Sequence, residues 1–367
     1  MARHELEILQ ARKLQTLLTY VTSEIPFYRD SLKNVSSESS FTLADLTAFP
    51  FVSKADLQTC PEKFRAERQQ GRMSRKTTGG STGQAVTIWK TADSIAQEAA
   101  ANWRGFSWAG VEIGDRQGRF WGIPFDRRER WRAKLIDFVN NRKRCSAFSF
   151  SENDMEKYTH LLNRFKPDYF YGYVSMLAAY AEFLRGARVK LNFQLKAVIA
   201  TSEVLTTYHR RLLQEVFNTR VYNEYGCGEL GTIAHECEKG SLHVNTENMI
   251  VEIVNGVSPC GPNELGEVVV TELNNLAMPL VRYRLGDFAK FSPQPCPCGR
   301  NLPIIKEVAG RAYDMVYDSG GKIFHGEFFM YIFEEVKKKR LGVKAFQVVQ
   351  KDFDHFIIKI HPDSGYS

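Results

Sequence analysis

Helix-like and strand-like segments alternate along most of this chain, and this alternation restricts the fold more than any other sequence feature. Apolar residues recur at helical spacing from Leu6 to Leu18 and in the segments that begin at Thr91, Glu152 and Thr206. Short β-prone runs lie between and after them, namely AVTIWK, LKAVIA, MIVEIV and GEVVVTEL. Strands separated by helices of this length predict an α/β fold with mostly parallel sheets flanked by helices. The later strands lie closer together, which predicts an added small antiparallel or barrel-like β portion.

The pattern changes after Gly310. A Gly-Gly turn separates two β-prone runs in DMVYDSGGKIF, an amphipathic helix is indicated by FHGEFFMYIFEEVKKKR, and two strands flank a polar turn in AFQVVQKDFDHFIIKIH. We therefore predict a large N-terminal domain over residues 1–311 and a small α+β domain over residues 312–367. A hairpin at the end of a domain is normally covered by a further element, so we expect this second domain to be incomplete.

Composition excludes several classes of protein. Hydrophobic residues make up 43% of the 367 positions, which suits a folded core, and seven cysteines are too few for a disulfide scaffold. No apolar run is long enough to span a bilayer, and Glu5 and Glu7 interrupt what a signal peptide would need. We therefore expect a cytoplasmic protein without membrane insertion.

The net charge of +7 is concentrated in one segment. Between Asp115 and Arg144, ten basic and four acidic residues contribute six of those charges. The segment is interpreted either as a solvated helix face or as a docking surface for a phosphorylated ligand or an acidic partner. Because the charge is confined to one segment and shows no aromatic-basic repeat, we do not expect nucleic-acid binding.

A loop rich in glycine and hydroxyl residues, TTGGSTGQ at residues 77–84, precedes the AVTIWK strand. Such a loop can turn several backbone N–H groups toward an anion. It is not a Walker A loop, because no lysine follows Gly83 and the next element reads as a strand. An ordinary hydroxyl-rich hairpin turn is the alternative.

Three further motifs follow the loop in order: YGCGE at residues 225–229, YRLGD at 283–287 and GRAYD at 310–314. Together the four resemble the motifs of the adenylate-forming superfamily, which includes acyl-CoA synthetases, peptide-synthetase adenylation domains and luciferases. Segments such as IPFYRDSL, PDYFYGYVSMLAAYAEFL and SEVLTTYHRRLLQEVF resemble one branch, the phenylacetate–CoA ligase-like and capsule-biosynthesis-type ligases. The resemblance extends from about Ile25 to Ile360.

The resemblance implies an ATP- and Mg²⁺-dependent ligase that activates a small carboxylic acid as an acyl-AMP with release of pyrophosphate. The acyl group would then pass to a thiol, either of CoA or of a carrier protein's phosphopantetheine arm, or to an amine. In that family pattern the phosphates would be held by the loop residues Thr78, Gly79, Gly80, Ser81, Thr82 and Gly83. Tyr225 would lie near the adenine, Asp287 at the ribose hydroxyls and Arg311 at the ribose or phosphate.

The remaining roles implied by the resemblance concern catalysis, domain motion and the acid. Glu229 matches the family's Mg²⁺ ligand, and Glu229, Thr82 and Arg311 form the expected catalytic set, while Asp314 matches the hinge. The expected acyl pocket comprises Tyr171, Gly172, Tyr173, Ala200, Thr201, Ser202, Asn223, Glu224 and Gly226. The two tyrosines favour an aromatic or short acid over a long-chain fatty acid, although both are equally good as plain core aromatics.

Four residues with metal-ligating side chains suggest a separate structural site. A Cys₃His ligand set would be formed by Cys237 with His243 and by Cys296 with Cys298. Such a set fills all four positions of a structural zinc ion. His235 is a rival ligand, and free thiols around a plain turn are the alternative.

Two positions depart from the family pattern. The family's catalytic lysine lies near the end of its C-terminal domain, and none of Lys344, Lys351 or Lys359 is a credible substitute. Gln84-Ala85 stands where many members have Pro-Lys. Either the chain is truncated or it adenylates poorly, so a non-catalytic or adenylation-impaired, zinc-stabilised protein that binds ATP or adenylate is the alternative function. A homodimer is also left open.

Overall fold

The computed structural model describes residues 2–32, 41–68, 71–77, 86–122, 127–146, 151–311, 315–317, 323–325 and 343–362. The glycine-rich loop from Thr78 to Gly83, the hinge candidate Asp314 and most of the predicted C-terminal helix lie outside these residues. Within the described part of the chain, no helix combines the length and apolar content needed to cross a bilayer.

The N-terminal region is helical, as its leucine spacing predicts. Helix α1 spans Arg3–Glu24, α2 spans Pro26–Ser31 and α3 spans Lys54–Thr59, with 3₁₀ turns at Ala44–Ala48 and Pro61–Phe64. The inward face of α1 buries Leu14, Leu17, Leu18 and Val21 against the antiparallel strands of the main sheet. This burial of an apolar stripe stabilises a helix that faces solvent on its other side.

Five longer helices connect the strands of the parallel region. They are α4 (Ala92–Trp108), α5 (Arg127–Val139), α6 (Glu152–Phe165), α7 (Val174–Ala187) and α8 (Thr207–Phe217). Hydroxyl residues begin three of them: Thr91 accepts from the Ser94 N–H, Ser151 forms a capping box with Asp154, and Thr206 accepts from the His209 N–H. These side chains satisfy backbone donors that have no partner inside the helix, which explains the helix starts read from the sequence.

A twelve-stranded mixed sheet organises the described residues. One half is parallel, in the order β4-β3-β5-β6-β7, and contains Arg142–Ser146, Gln117–Trp121, Tyr169–Tyr173, Ala197–Thr201 and Val221–Cys227. The other half is antiparallel and contains β8 (Gly231–Glu236), β9 (Leu242–Val244), β14 (Ile304–Arg311), β13 (Tyr283–Phe291), β12 (Gly266–Glu272), β10 (Met249–Asn255) and β11 (Ser258–Pro259). The predicted α/β class and the added antiparallel portion are confirmed.

The parallel strands separate their side chains onto two chemically different faces. Arg119 pairs with Tyr171 in register, and Tyr173 pairs with Thr201, so these side chains share one face. Phe120 and Phe170 lie on the opposite face and join the core formed with α7 and α8. One face of the sheet is thus a hydrophobic core, and the other carries polar and aromatic groups.

A separate hairpin holds the ends of the glycine-rich loop together. Strand β1 (Met73–Thr77) pairs antiparallel with β2 (Thr87–Thr91), so that Thr77 lies opposite Thr87 with their hydroxyl oxygens 3.4 Å apart. The strand predicted after the loop is confirmed.

Buried Lys90 connects this hairpin to the rest of the molecule. Its Nζ lies 3.0 Å from the Glu98 carboxylate of α4 and 3.1 Å from that of Glu272 on β12, and it donates to the Leu230 carbonyl oxygen. Burial opposes the charge, but the two carboxylates hold the pKa of Lys90 above its ordinary value. The lysine therefore ties the strand after the loop to a helix and to the main sheet.

Beyond Arg311 the described strands pair only with one another. Strand β15 (Met315–Tyr317) pairs with β16 (Ile323–His325), and β17 (Val343–Asp352) pairs with β18 (His355–Pro362). Both hairpins occur where the β-prone runs predict them.

Candidate functional site

A cleft of about 2310 Å³ lies over the polar and aromatic face of the parallel strands. Its walls come from the carboxyl ends of β5, β6 and β7, from α4, from β13 and from β17. Ligands commonly bind at the carboxyl ends of strands in open α/β sheets. Ten residues named from the sequence line it: Tyr171, Tyr173, Thr201, Ser202, Asn223, Glu224, Tyr225, Gly226, Glu229 and Asp287.

Gly172 and Ala200 do not line this cleft. Ala200 is fully buried in the core on the opposite face of the sheet. A Cβ added to Gly172 would lie 2.4 Å from the Phe120 carbonyl oxygen on the neighbouring strand. Because successive side chains of a strand point to opposite faces, Tyr171, Tyr173 and Thr201 reach the cleft, whereas Gly172 and Ala200 face the other way. The structure thus places Gly172 in strand packing and Ala200 in the core.

The nucleotide-motif residues converge from three strands. The Tyr225 hydroxyl at the end of β7 donates to the Asp287 carboxylate of β13 over 2.9 Å. Asp287 lies opposite Arg311 of β14 in register. Gly286 has φ +74°, a left-handed conformation that favours glycine. This conformation explains why a glycine precedes Asp287. Residues far apart in sequence therefore meet at one end of the cleft.

Glu229 lies in the turn that follows β7, where it is 8% exposed and lines the cleft. Thr82 and the rest of the glycine-rich loop lie outside the described residues, as do Asp314 and the side chain of Arg311. The ends of the loop are nevertheless placed, because Thr77 lines the same cleft. Thr77, the last described residue before the loop, therefore lies at the cleft that contains Glu229 and Asp287.

Glu224 forms the centre of a buried polar network in the expected acyl pocket. Its Oε1 accepts from the Tyr171 hydroxyl at 3.0 Å and from the Thr201 hydroxyl at 3.2 Å, and the Thr232 hydroxyl lies 3.4 Å away. Burial raises the pKa of Glu224, while the hydroxyl donors oppose that shift. The network fixes the orientation of the Tyr171 ring in the cleft.

The sequence reasoning missed an aromatic wall contributed by β3. The Trp121 ring is stacked on Tyr171 with centroids 5.6 Å apart and 11° between planes, and it lies 4.3 Å from Tyr173. Arg119, two residues earlier, extends over the Trp121 ring at 4.6 Å and the Tyr171 ring at 5.0 Å. The sequence signal that could have revealed this wall is the placing of Arg119 and Trp121 two residues apart in QGRFW, the spacing of side chains on one face of a strand.

The four predicted zinc ligands come together beside β8, β9 and β14. The thiol sulfurs of Cys237, Cys296 and Cys298 and a ring nitrogen of His243 all lie within 4.8 Å of one another. The Cys237 and Cys296 sulfurs are 3.7 Å apart, and the Cys298 sulfur is 3.3 Å from His243 Nε2. A tetrahedral zinc ion with bonds of about 2.3 Å to sulfur places neighbouring sulfurs about 3.8 Å apart. The donor set and its spacing therefore fit a closed zinc site.

Surrounding groups support this cluster. His243 Nδ1 lies 3.4 Å from the Leu302 carbonyl oxygen, which would orient Nε2 toward a metal, and the Lys239 N–H donates to the Cys237 sulfur at 3.3 Å. His235 does not belong to it, since its Nε2 lies 3.4 Å from the Asn102 side-chain oxygen and its ring packs against Gly105. Burial lowers the pKa of His235 to about 3, so this ring is neutral.

The fold is similar to that of solved ligase structures. One similar solved structure is that of 2-hydroxyisobutyryl-CoA ligase in its postadenylation state with an acyl-AMP. It superposes with a TM-score of 0.79 at 19% identity, over 99% of this chain and 80% of its own length. The chain thus has the fold of acyl-adenylate-forming ligases. No family model matches it.

Sequence relatives specify the branch. CapK of Staphylococcus aureus is 23% identical over 95% of this chain and 77% of its own length. Phenylacetate–coenzyme A ligase of Pseudomonas putida is 26% identical over 86% of this chain and 72% of its own length. In sequence and fold the chain is similar to adenylate-forming ligases of the phenylacetate–CoA ligase-like branch, and the resemblance predicted from the motifs is confirmed.

Proposed function

We propose that this protein is an ATP-dependent carboxylate ligase that converts a small acid to an acyl-AMP and then to a CoA thioester. The observation that carries the proposal is the meeting of Tyr225, Asp287 and Glu229 in the same cleft as the Tyr171–Tyr173 wall. One end of the cleft thus offers groups for a nucleotide, and the other offers a surface for an acid. The relatives are named as CoA ligases, which supports CoA as acceptor. A carrier-protein arm or an amine would be the alternative acceptor.

In this proposal the chemistry is an in-line displacement at the α-phosphorus of ATP. A carboxylate oxygen of the acid attacks, the bond to the bridging oxygen breaks, and pyrophosphate leaves. Positioning and charge stabilisation supply most of the rate enhancement in such a reaction. The N–H and hydroxyl groups of residues 78–83 would hold the leaving phosphates, and Arg311 would approach the ribose or phosphate.

Asp287 would orient the ribose, because a carboxylate accepts hydrogen bonds from both ribose hydroxyls. The Tyr225 hydroxyl donates to that carboxylate and so would hold it in position, while its ring would lie near the adenine. Glu229 would contribute an oxygen ligand to Mg²⁺, whose charge, when the ion is bound, neutralises that of the phosphates. Asp314 would mark the hinge between residues 1–311 and a small domain over residues 312–367. The confinement of the twelve-stranded sheet to residues up to Arg311 supports that division.

Zinc would have a structural role. Cys237, Cys296, Cys298 and His243 would occupy all four positions of the ion, which leaves none for substrate. Such a site would clamp the turn before β9 to the segment before β14. None of the seven cysteines, all of which lie in the described residues, forms a disulfide, which supports a reducing, cytoplasmic location.

The proposed function is tested by incubating the protein with ATP, Mg²⁺ and a panel of aromatic and short carboxylic acids, then detecting acyl-AMP by mass spectrometry. An acid-dependent acyl-AMP that disappears in Asp287→Ala is the expected result. Thermal stabilisation by ATP without any acid-dependent product would instead favour the non-catalytic nucleotide-binding function. A matched control is Asp354→Ala, an exposed carboxylate in the turn between β17 and β18.

A further inference from the structure

Arg119 is an unpaired cation in the proposed acyl pocket. Its guanidinium lies over the rings of Trp121 and Tyr171, at 4.6 and 5.0 Å from their centroids. Within the described residues it has no carboxylate at ion-pair distance, and its buried Nε has no hydrogen-bond acceptor. Gln117, on the same face of β3, also has a buried side-chain oxygen without a partner. The floor of the cleft therefore carries polar groups that the fold itself leaves unsatisfied.

The neighbouring charges do not neutralise Arg119. Arg142 and Arg144 of the adjacent strand both pair with Asp137, at 3.5 and 2.9 Å. The nearest buried acid of the pocket, Glu224, is engaged by the hydroxyls of Tyr171 and Thr201. Burial lowers the pKa of Arg119 to about 10, which leaves it charged at neutral pH. Asp137 is thus shared by Arg142 and Arg144, and Glu224 feels the charge of Arg119 without forming an ion pair with it. Three arginines face two carboxylates, and the surplus positive charge lies in the cleft.

A buried charge without a partner is costly, and the cost falls when an oppositely charged group binds to it. The planar guanidinium matches a carboxylate particularly well, because two parallel N–H groups can donate to its two oxygens. The aromatic wall beside Arg119 offers a flat apolar surface for the body of the same molecule. A ligand that satisfies this region is therefore flat and carries an anionic end.

The position of Arg119 indicates which part of the substrate it meets. Arg119 lies on β3, and Tyr225 lies near the end of β7, three strands away in the sheet. At the usual spacing between strands, this separation is about 14 Å. The nucleotide end of the cleft, with Thr77 and Asp287, is thus distant, and ATP belongs there rather than at Arg119. The group that reaches Arg119 belongs to the far end of the acid.

We infer that Arg119 binds a second carboxylate of the substrate, so that the preferred acid is a flat, aromatic dicarboxylic acid. One carboxylate is activated as the acyl-AMP, and the other remains ionised on Arg119. This inference rests on the proposed function and specifies its substrate class.

The test compares acids that differ only in the second carboxylate, such as phenylacetic against 4-carboxyphenylacetic acid and benzoic against terephthalic acid. Acyl-AMP formation is measured in competition, and the affinities of the corresponding acylsulfamoyl-adenosine analogues are measured in parallel. The wild-type protein should prefer the diacid by about 10- to 100-fold, the usual range for a charge-assisted hydrogen bond. Arg119→Leu should abolish that preference, and Arg119→Lys should retain part of it.

Lys143→Leu is the matched control, because it removes the same charge from the adjacent strand at an exposed residue on the opposite face. It should leave the preference unchanged. Replacing an unpaired buried arginine by leucine is compatible with folding, which thermal unfolding will verify. A wild-type preference for the monoacids, or an unchanged preference in Arg119→Leu, overturns the inference while the proposed function stands. If no acid is activated and no analogue binds, the proposed function fails, and the inference fails with it.

Discussion

Replacing Lys90 by methionine should destabilise the region that presents the glycine-rich loop. The lysine is 2% exposed and neutralises Glu98 and Glu272, which are 22% and 5% exposed. Its removal leaves the Glu272 carboxylate buried without a cation, in a site where one carboxylate oxygen already lacks a partner. Removing one partner of a buried ion pair typically costs about 3–5 kcal/mol. For a chain of this size that corresponds to a fall in melting temperature of roughly 4–7 °C.

The loss of stability caused by Lys90→Met should depend on pH in a definite direction. Burial raises the pKa of Glu272 above its ordinary value, and Lys90 opposes that shift. Without the lysine the pKa should rise further. An acid with a higher pKa in the folded than in the unfolded chain favours folding at low pH, and this contribution is lost as pH rises through the folded pKa. The penalty of Lys90→Met should therefore be smaller at pH 5 than at pH 8.

Calorimetric or fluorescence-monitored unfolding at both pH values measures this prediction. The double variant Lys90→Met with Glu272→Gln removes both members of the buried pair and should recover most of the lost stability. Because β2 directly follows the loop, the single variant should also be stabilised less by ATP than the wild-type protein. Equal melting temperatures of Lys90→Met and wild type at both pH values would refute the argument.

Three further predictions concern other parts of the molecule. Tyr225→Phe removes the hydroxyl that donates to Asp287 and should weaken ATP binding by about 2- to 10-fold in calorimetry; unchanged affinity contradicts the positioning role. Cys296→Ser should lower the zinc content measured by mass spectrometry, and the melting temperature with it, whereas Cys60→Ser should alter neither; a purified protein without zinc excludes the site. Gly172→Ala brings a Cβ within 2.4 Å of a backbone oxygen of β3 and should cost about 1–3 kcal/mol in unfolding experiments; wild-type stability contradicts this strand packing.

The extent to which the site could be predicted differs between its parts. Tyr171 and Tyr173 were assigned to one pocket, and alternation along β5 places both on the cleft face. Gly172 was assigned with them, yet the same alternation turns it toward the neighbouring strand. Arg119 and Trp121 were missed because QGRFW, with a glycine and an arginine, has a composition atypical of strands. Its strand character depends on pairing with β4 and β5, which lie later in the chain.

By itself the sequence determined the local elements and the chemical types available: capped helices, β-prone runs, the ordered motifs and four metal-ligating side chains. Those properties depend on neighbouring residues, which a sequence displays directly. Only the tertiary structure decided which side chains meet. Pairing of Ile304 with His243 brings the Cys296 and Cys298 segment to the Cys237 turn, and the register of β3 with β5 sets Arg119 beside Tyr171. Strand register is a long-range property, and a shift by one residue would turn each side chain to the other face.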